Sequence, residues 1–325
     1  MLKSIEAQHG LLIERARGIY SFSHLTFQEY FTARRFVDSA DLQNLVDYIT
    51  EKYWLEVFLL ASGMMQPADA LLCGMKKKID LFLAYNEKLQ NFLDWTSQKS
   101  LIFKDIHRKF KARLFYISLN IDFFINIEVD KLSEFEIEDL EIESSSYIYL
   151  AHDLGLHLDL HLNSVLNDAL TLINVFNGTL EFELHPDEID NTALCIDQDL
   201  YRILDLEIEP GLKQRLQELK EQLPDWTHTW EIYYQEWWQA EGQSWTGKLR
   251  AAIVEYCNIG HDWQFSAQQK ELLKQYYDAN KLLVDCLNSG CDVSPEVRQQ
   301  IEETLLLPKD EIERRQAKGK SRFRI

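Results

Sequence analysis

The stretch from Ile19 to Val37 changes its hydrophobic period partway along. Up to His24, apolar and polar residues alternate as in a short half-buried strand. From Thr26 onward, Phe27, Tyr30, Phe31, the aliphatic stem of Arg34 and Val37 fall at three- and four-residue spacing. A strand therefore runs directly into a helix, with His24 at the junction. The imidazole has two uses there. It can cap the helix start beside a core aromatic, or it can offer a directional N–H donor, stronger when protonated, to a phosphate oxygen.

The ten residues Phe22-Ser23-His24-Leu25-Thr26-Phe27-Gln28-Glu29-Tyr30-Phe31 resemble the end of the winged-helix domain in NACHT-type STAND NTPases, signalling ATPases that include animal NOD-like receptors and bacterial antiphage proteins. The resemblance implies that His24 reaches the β-phosphate of bound ADP and holds the closed, inactive state. A second pair of segments, Asn258 to Phe265 and Tyr276 to Asn288, resembles the helical C-terminal domain of bacterial NACHT proteins. In that family, regions after the winged helix restrain the ATPase and receive the activating signal. The resemblance covers both ends of the chain and is weakest in the middle. It implies ATP or ADP as the cofactor of a complete NTPase, not of this chain alone. Because residues 1–37 hold only the final turns of a winged helix, the expected ATPase core comes in trans or from an upstream reading frame.

At 325 residues with 46% apolar composition, the chain is long enough for two or three buried cores. Its net charge of -19 opposes any broad, sequence-independent grip on nucleic acid. The charged end from Arg314 to Arg324 is too short a run to reverse that, and is expected to be a solvated, fraying tail. Five scattered cysteines without a CxxC pair fit a reducing cytoplasm, and no apolar run approaches the ~20 residues of a membrane span.

After Ser39, apolar residues spaced at three and four predict helices over 42–49, 54–65 and 67–82, with the run Lys76-Lys77-Lys78 on a solvent face. The middle reads differently. From Phe115 to Val129 every second residue is apolar, and similar alternation returns over 154–162, 180–184 and 204–208. Taken alone this is a strand pattern with weak internal repetition, while the resembling family is helical in this region. Helix overall, with minor β content between 115 and 210, is the expectation. Beyond Pro210 the pattern returns to helix over 211–220, 229–240, 245–257, 266–288 and 295–305, with Ser266 and Ser294 as N-caps and Pro295 at the first helical position.

Other patterns compete for a functional role. Gly242 to Lys248 spells GxxxxGK, but no hydrophobic strand precedes it and Leu249 stands where a magnesium-binding hydroxyl belongs, so it is not read as a phosphate loop. Without a P-loop no enzymatic activity is expected of the chain itself. His152, Asp153, His157, Asp159 and His161 are the densest set of potential metal ligands, yet their leucine flanks explain them as the solvated side of an amphipathic segment. His261-Asp262 has no placed partner for nucleophilic chemistry. Six of the eight tryptophans, Trp226, Trp230, Trp237, Trp238, Trp245 and Trp263, lie close together and form either an interaction surface or the core of their own module.

The fold expected is mainly α, a multi-helical, repeat-like array behind a winged-helix remnant. Its divisions are 1–38, the remnant; 39–112, helical; 113–224, Leu/Asp-alternating; 225–308, aromatic-rich and helical; and 309–325, a charged tail. The function expected is that of the sensor and regulatory portion of a NACHT STAND NTPase in antiphage defence. Its partners would be the ATPase core and a protein trigger, with neither membrane nor nucleic acid. A helical protein-binding scaffold without a nucleotide link is the rival reading, and a metal hydrolase built on His152, His157 and His161 a third.

Overall fold

A computed structural model describes residues 11–17, 19–125, 146–179, 186–224 and 231–322. The protein is mainly α, with one two-stranded sheet near its N-terminus. It divides into two compact units, the first formed by residues 1–117 and 265–325 and the second by 118–264.

The first unit begins with strands β1 (Leu12–Ala16) and β2 (Ile19–Phe22), followed by α1 (Leu25–Ser39), α2 (Leu42–Val46), α3 (Leu55–Met64), α4 (Asp69–Leu83), α5 (Glu87–Lys99) and the start of α6 (Ile106–Ile125). After the second unit the chain returns with α13 (Ala267–Asn288), α14 (Pro295–Thr304) and α15 (Lys309–Arg322). Helix α4 is the centre. Its Leu71, Leu72, Met75, Ile79 and Leu83 form an apolar stripe at helical spacing, all fully buried. α2, α13 and α14 pack on it, and α3 fills the space between α1 and α13. Polar bonds tie the late helices to the early ones: the Ser294 N–H donates to the Asp69 carboxylate (2.9 Å), Gln269 Nε2 to Asn86 Oδ1 (3.0 Å) and the Lys309 N–H to Gln90 Oε1 (2.8 Å).

The second unit holds the end of α6, then α7 (Ser146–Leu154), α8 (His157–Phe176), α9 (Pro186–Asp205), α10 (Pro210–Gln222), α11 (Glu231–Trp237), a π-helical turn (Trp238–Gly242) and α12 (Gln243–Cys257). α8 is central. Leu162, Val165, Leu166, Ala169, Leu172 and Ile173 are buried against α9, α12 and the π turn. Gly260, at φ 73°, allows a close approach: a Cβ there would lie 2.5 Å from Ile253 Cδ1 and 3.0 Å from Leu166 Cδ2.

Several expectations hold. Ser266 caps α13 in a full capping box with Gln269, and α10 starts at Pro210 under the Glu209 carboxylate, which accepts from the Leu212 N–H at 3.0 Å. Others need correction. No strand occurs among the described residues between 115 and 210; the alternation from Phe115 lies in α6 as far as Ile125, residues 126–129 being outside the described residues, and Phe115, Tyr116, Ile117, Ser118 and Leu119 are all buried. A helix covered on all sides needs no 3.6-residue polar face, so its sequence can imitate a strand. The alternating segment 180–184 lies outside the described residues.

The lysine run is not wholly solvated. Lys76 is buried and ion-paired to Asp80, while Lys77 is exposed and Lys78 bonds Asp47 at 2.7 Å. Finally, residues 309–322 of the expected tail form α15. Ile312 anchors it in the core, and Glu311 pairs with Arg315 (2.8 Å) and Arg314 (3.2 Å) along the helix.

Candidate functional site

The hairpin that leads into α1 is built by antiparallel pairing of Leu12 with Phe22, Ile13 with Ser21 and Glu14 with Tyr20, with an irregularity between Glu14 and Ala16. Arg15 Nε donates to Ser21 Oγ at 3.0 Å, and the Ser23 N–H donates to the Leu11 carbonyl at 2.9 Å, which carries the pairing up to the junction. His24 keeps the extended backbone (φ -131°, ψ 148°), and its carbonyl accepts the first helical bond from the Phe27 N–H. It therefore sits at the N-cap position. Its side chain makes no capping bond and is exposed, with the Phe27 ring beside it edge-on, 6.0 Å between centroids.

The surroundings of His24 are apolar and open. Ala33 is the one buried residue of α1. Phe22 stacks on Phe31 at 5.8 Å and Tyr30 meets Phe31 edge-on at 5.4 Å, yet Tyr30 and Phe31 are exposed. Ile19 and Leu25, flanking the junction, are 63% and 64% exposed. Scattered surface apolar side chains are ordinary; Ile13, Ile19, Leu25, Tyr30 and Phe31, all exposed on one hairpin and the helix it leads into, are a surface suited to being covered. On the opposite side of α1, burial raises the Glu29 pKa and Glu56 on α3 adds to the shift. The helix C-terminus closes on Ala40 in the left-handed region (φ 53°), whose N–H bonds the last carbonyls.

The other sequence candidates disperse. Trp238 and Trp245 are each 1% exposed, and Trp245 Nε1 donates to the Leu219 carbonyl at 2.8 Å. They are core residues and cannot meet a surface partner. Trp237 and Trp263 are partly exposed, and Trp226 and Trp230 lie outside the described residues. The glycine motif is no loop: Gly242 closes the π turn and Gly247 and Lys248 lie within α12. Of the histidine set, His152 is exposed, Asp159 is buried, and His161 Nδ1 turns to Asp199 Oδ1 on α9 at 3.0 Å. Among the described residues no three acid, cysteine or histidine side chains converge as a metal site. His261 Nε2 lies 2.7 Å from Asn258 Oδ1, within its own loop.

Two ionic clusters were not legible in the sequence. One joins Asp199 to His161 and to Arg202 (2.8 Å), with Asp168 alongside. The other is Lys76 with Asp80, Arg113 and Tyr276. The first joins the consecutive helices α8 and α9 and the second joins α4, α6 and α13, and only the apolar flanks of Arg113 (Ala112, Leu114, Phe115) hinted that a charge would be buried.

A mainly α protein that opens on a strand-to-helix junction and closes on a packed helical layer is the class that the structure defines. Residues 1–36 match the family model for the winged helix-turn-helix domain C-terminal to NACHT, and residues 212–308 match that for NACHT C-terminal helical domain 2. Its two ends are thus similar to domains that lie C-terminal to NACHT, and the stretch between them is matched by neither model. Comparison with curated proteins and with solved structures finds no match. No helix among the described residues is long and apolar enough to cross a membrane.

Proposed function

We propose that this chain is the sensor and regulatory portion of a NACHT STAND NTPase, acting in antiphage signalling in the cytoplasm, and that it works on a NACHT ATPase core. The exposed, uncapped His24 among uncovered apolar side chains carries this reading. In the proposal, Ile13, Ile19, Leu25, Tyr30 and Phe31 pack against the core, and His24 donates to a phosphate oxygen of ADP there. Covering such side chains is worth about 1.5–3 kcal/mol each at full burial. A charge-assisted donor to phosphate adds about 1.5–3 kcal/mol if the imidazole is protonated. That bond exists only in the closed state, so ADP shifts the population toward it, and a trigger that binds the open state shifts it back.

Co-expression with a NACHT ATPase core tests this. The two chains should co-purify more strongly with ADP than without nucleotide, and His24→Ala should abolish the ADP dependence while leaving the fold intact. Association indifferent to ADP would support the scaffold reading instead.

A further inference from the structure

Arg113 on α6 is the least compensated charge of the first unit. It is 2% exposed, and its Nε has no hydrogen-bond partner. Lys76 on α4, Tyr276 on α13, and Glu311 and Arg315 on α15 surround it electrostatically. Glu311, the carboxylate that acts on it, is already engaged by Arg314 and Arg315, and Asp80, which faces Tyr276, is engaged by Lys76. Burial, with Arg315 adding to it, pulls the guanidinium down to about 10, so it is still charged at neutral pH. The buried Tyr276 hydroxyl lies beside the side chain of Asn280, whose Nδ2 donates to the Tyr276 carbonyl at 2.8 Å. A buried water can bridge such polar atoms, but it cannot neutralise a surplus charge.

Beside this cluster, α4, α14 and α15 enclose a cavity of about 410 Å³. Lys76 and Asp80 belong to both, since they line the cavity while Lys76 also faces Arg113 and Asp80 faces Tyr276. Lys77, Gln300, Thr304, Lys309, Glu313 and Gln316 add to its polar lining. Lys76 neutralises Asp80, and Lys309 lies 3.9 Å from Glu313 and over the Tyr85 ring at 5.0 Å. The cations left over are Lys77 at the opening and Arg113 behind the wall. A chain of net charge -19 thus holds one locally positive cavity.

We infer that this cavity is an oxyanion site that takes the phosphate group of a small ligand. Lys77 and Lys309 grip the group at the opening, Lys76 contacts it from the wall, and Arg113 supplies the field behind. A phosphate dianion suits a site offering several cations from different helices, and the volume matches the smaller end of small-molecule pockets. The site is separate from the surface around His24 and does not depend on that reading.

The test is thermal melting and calorimetric titration of the full chain with inorganic phosphate against chloride at matched ionic strength. Phosphate should raise the melting temperature in a saturable way. The double substitution Lys77→Ala with Lys309→Ala should weaken phosphate binding at least tenfold, with the melt in chloride shifted only by the loss of the exposed Lys309–Glu313 pair and its contact with Tyr85. Arg113→Met, close in volume, should abolish the phosphate effect. A wild-type chain indifferent to phosphate, or a Lys77→Ala/Lys309→Ala chain that keeps the full shift, overturns the inference. If Arg113→Met does not fold, the lysine pair decides.

Discussion

The two glycines of the GxxxxGK motif should respond in opposite directions to the same substitution. Gly242 has ordinary right-handed helical angles (φ -54°, ψ -44°), so no backbone conformation requires a glycine there. The requirement is space. A Cβ at 242 would lie 2.6 Å from Cε3 of the buried Trp238 ring and 3.3 Å from Ile173 Cγ1, and the ring is held in turn by Trp245 at 5.8 Å. Both are core groups that cannot swing into solvent. Overpacking of this kind costs about 1–3 kcal/mol, against the ~0.5–1 kcal/mol that alanine gains over glycine in a helix. Gly242→Ala should therefore destabilise the second unit by about 1–2 kcal/mol, or about 2–8 °C for a unit of this size.

Gly247 is different: it is exposed within α12, and nothing lies within 4 Å of an added Cβ. Gly247→Ala should stabilise by about 0.5–1 kcal/mol. Urea unfolding followed by tryptophan fluorescence reads this well, because six of the eight tryptophans lie in the second unit. A Gly242→Ala chain as stable as wild type would refute the packing argument. Phosphate-dependent stability lost in both variants would mean that the motif binds phosphate after all.

Other outcomes can be stated briefly. Lys76→Met strands the Asp80 carboxylate in a buried site and should cost on the order of 3 kcal/mol, whereas adding Asp80→Leu should recover most of it in chemical unfolding. Asp168 faces Ser164 on its own helix and Cys195 and Asp199 on α9; burial, then the Asp199 charge, raises it to about 7. The native chain therefore holds a proton that the unfolded chain has released. Stability should fall as pH rises from about 4 to 7, by at most about 1.4 kcal/mol per pH unit, and Asp168→Asn should remove that slope in melts across the range. Asp199 acts with the opposite sign. Burial would raise it, but hydrogen bonds from His161, Ser164 and Arg202 outweigh that and lower it, so its contribution is lost only as pH falls below about 4. Ser266→Ala breaks the capping box of α13 and should cost about 1 kcal/mol by thermal melting.

Helices with one wet face were legible because the 3.6-residue period records which side meets water. The stripe Leu71, Leu72, Met75, Ile79 and Leu83, the Ser266 cap and the Pro210 start are all cases of this. The strand-to-helix junction at His24 was legible for the same reason, since the period changes there. Segment α6 was ambiguous, because consecutive residues from Phe115 to Leu119 are buried on every side and leave no polar face to time the helix. The tail misled because composition counts Lys309 to Arg322 as charged, without showing that Glu311 pairs along the helix while Ile312 enters the core.

By itself, then, the chain's sequence determined its helical elements, their caps, and the winged-helix and C-terminal modules to which its two ends correspond. Tertiary structure alone decided that residues 265–325 fold with 1–117, that Trp238 and Trp245 are core while His24 is open, and that Lys76 and Arg113 lose contact with water. The physical reason is range. Local periodicity and capping act within a few residues, whereas burial depends on which distant helix arrives to cover a face, and nothing in the covered segment encodes its neighbour.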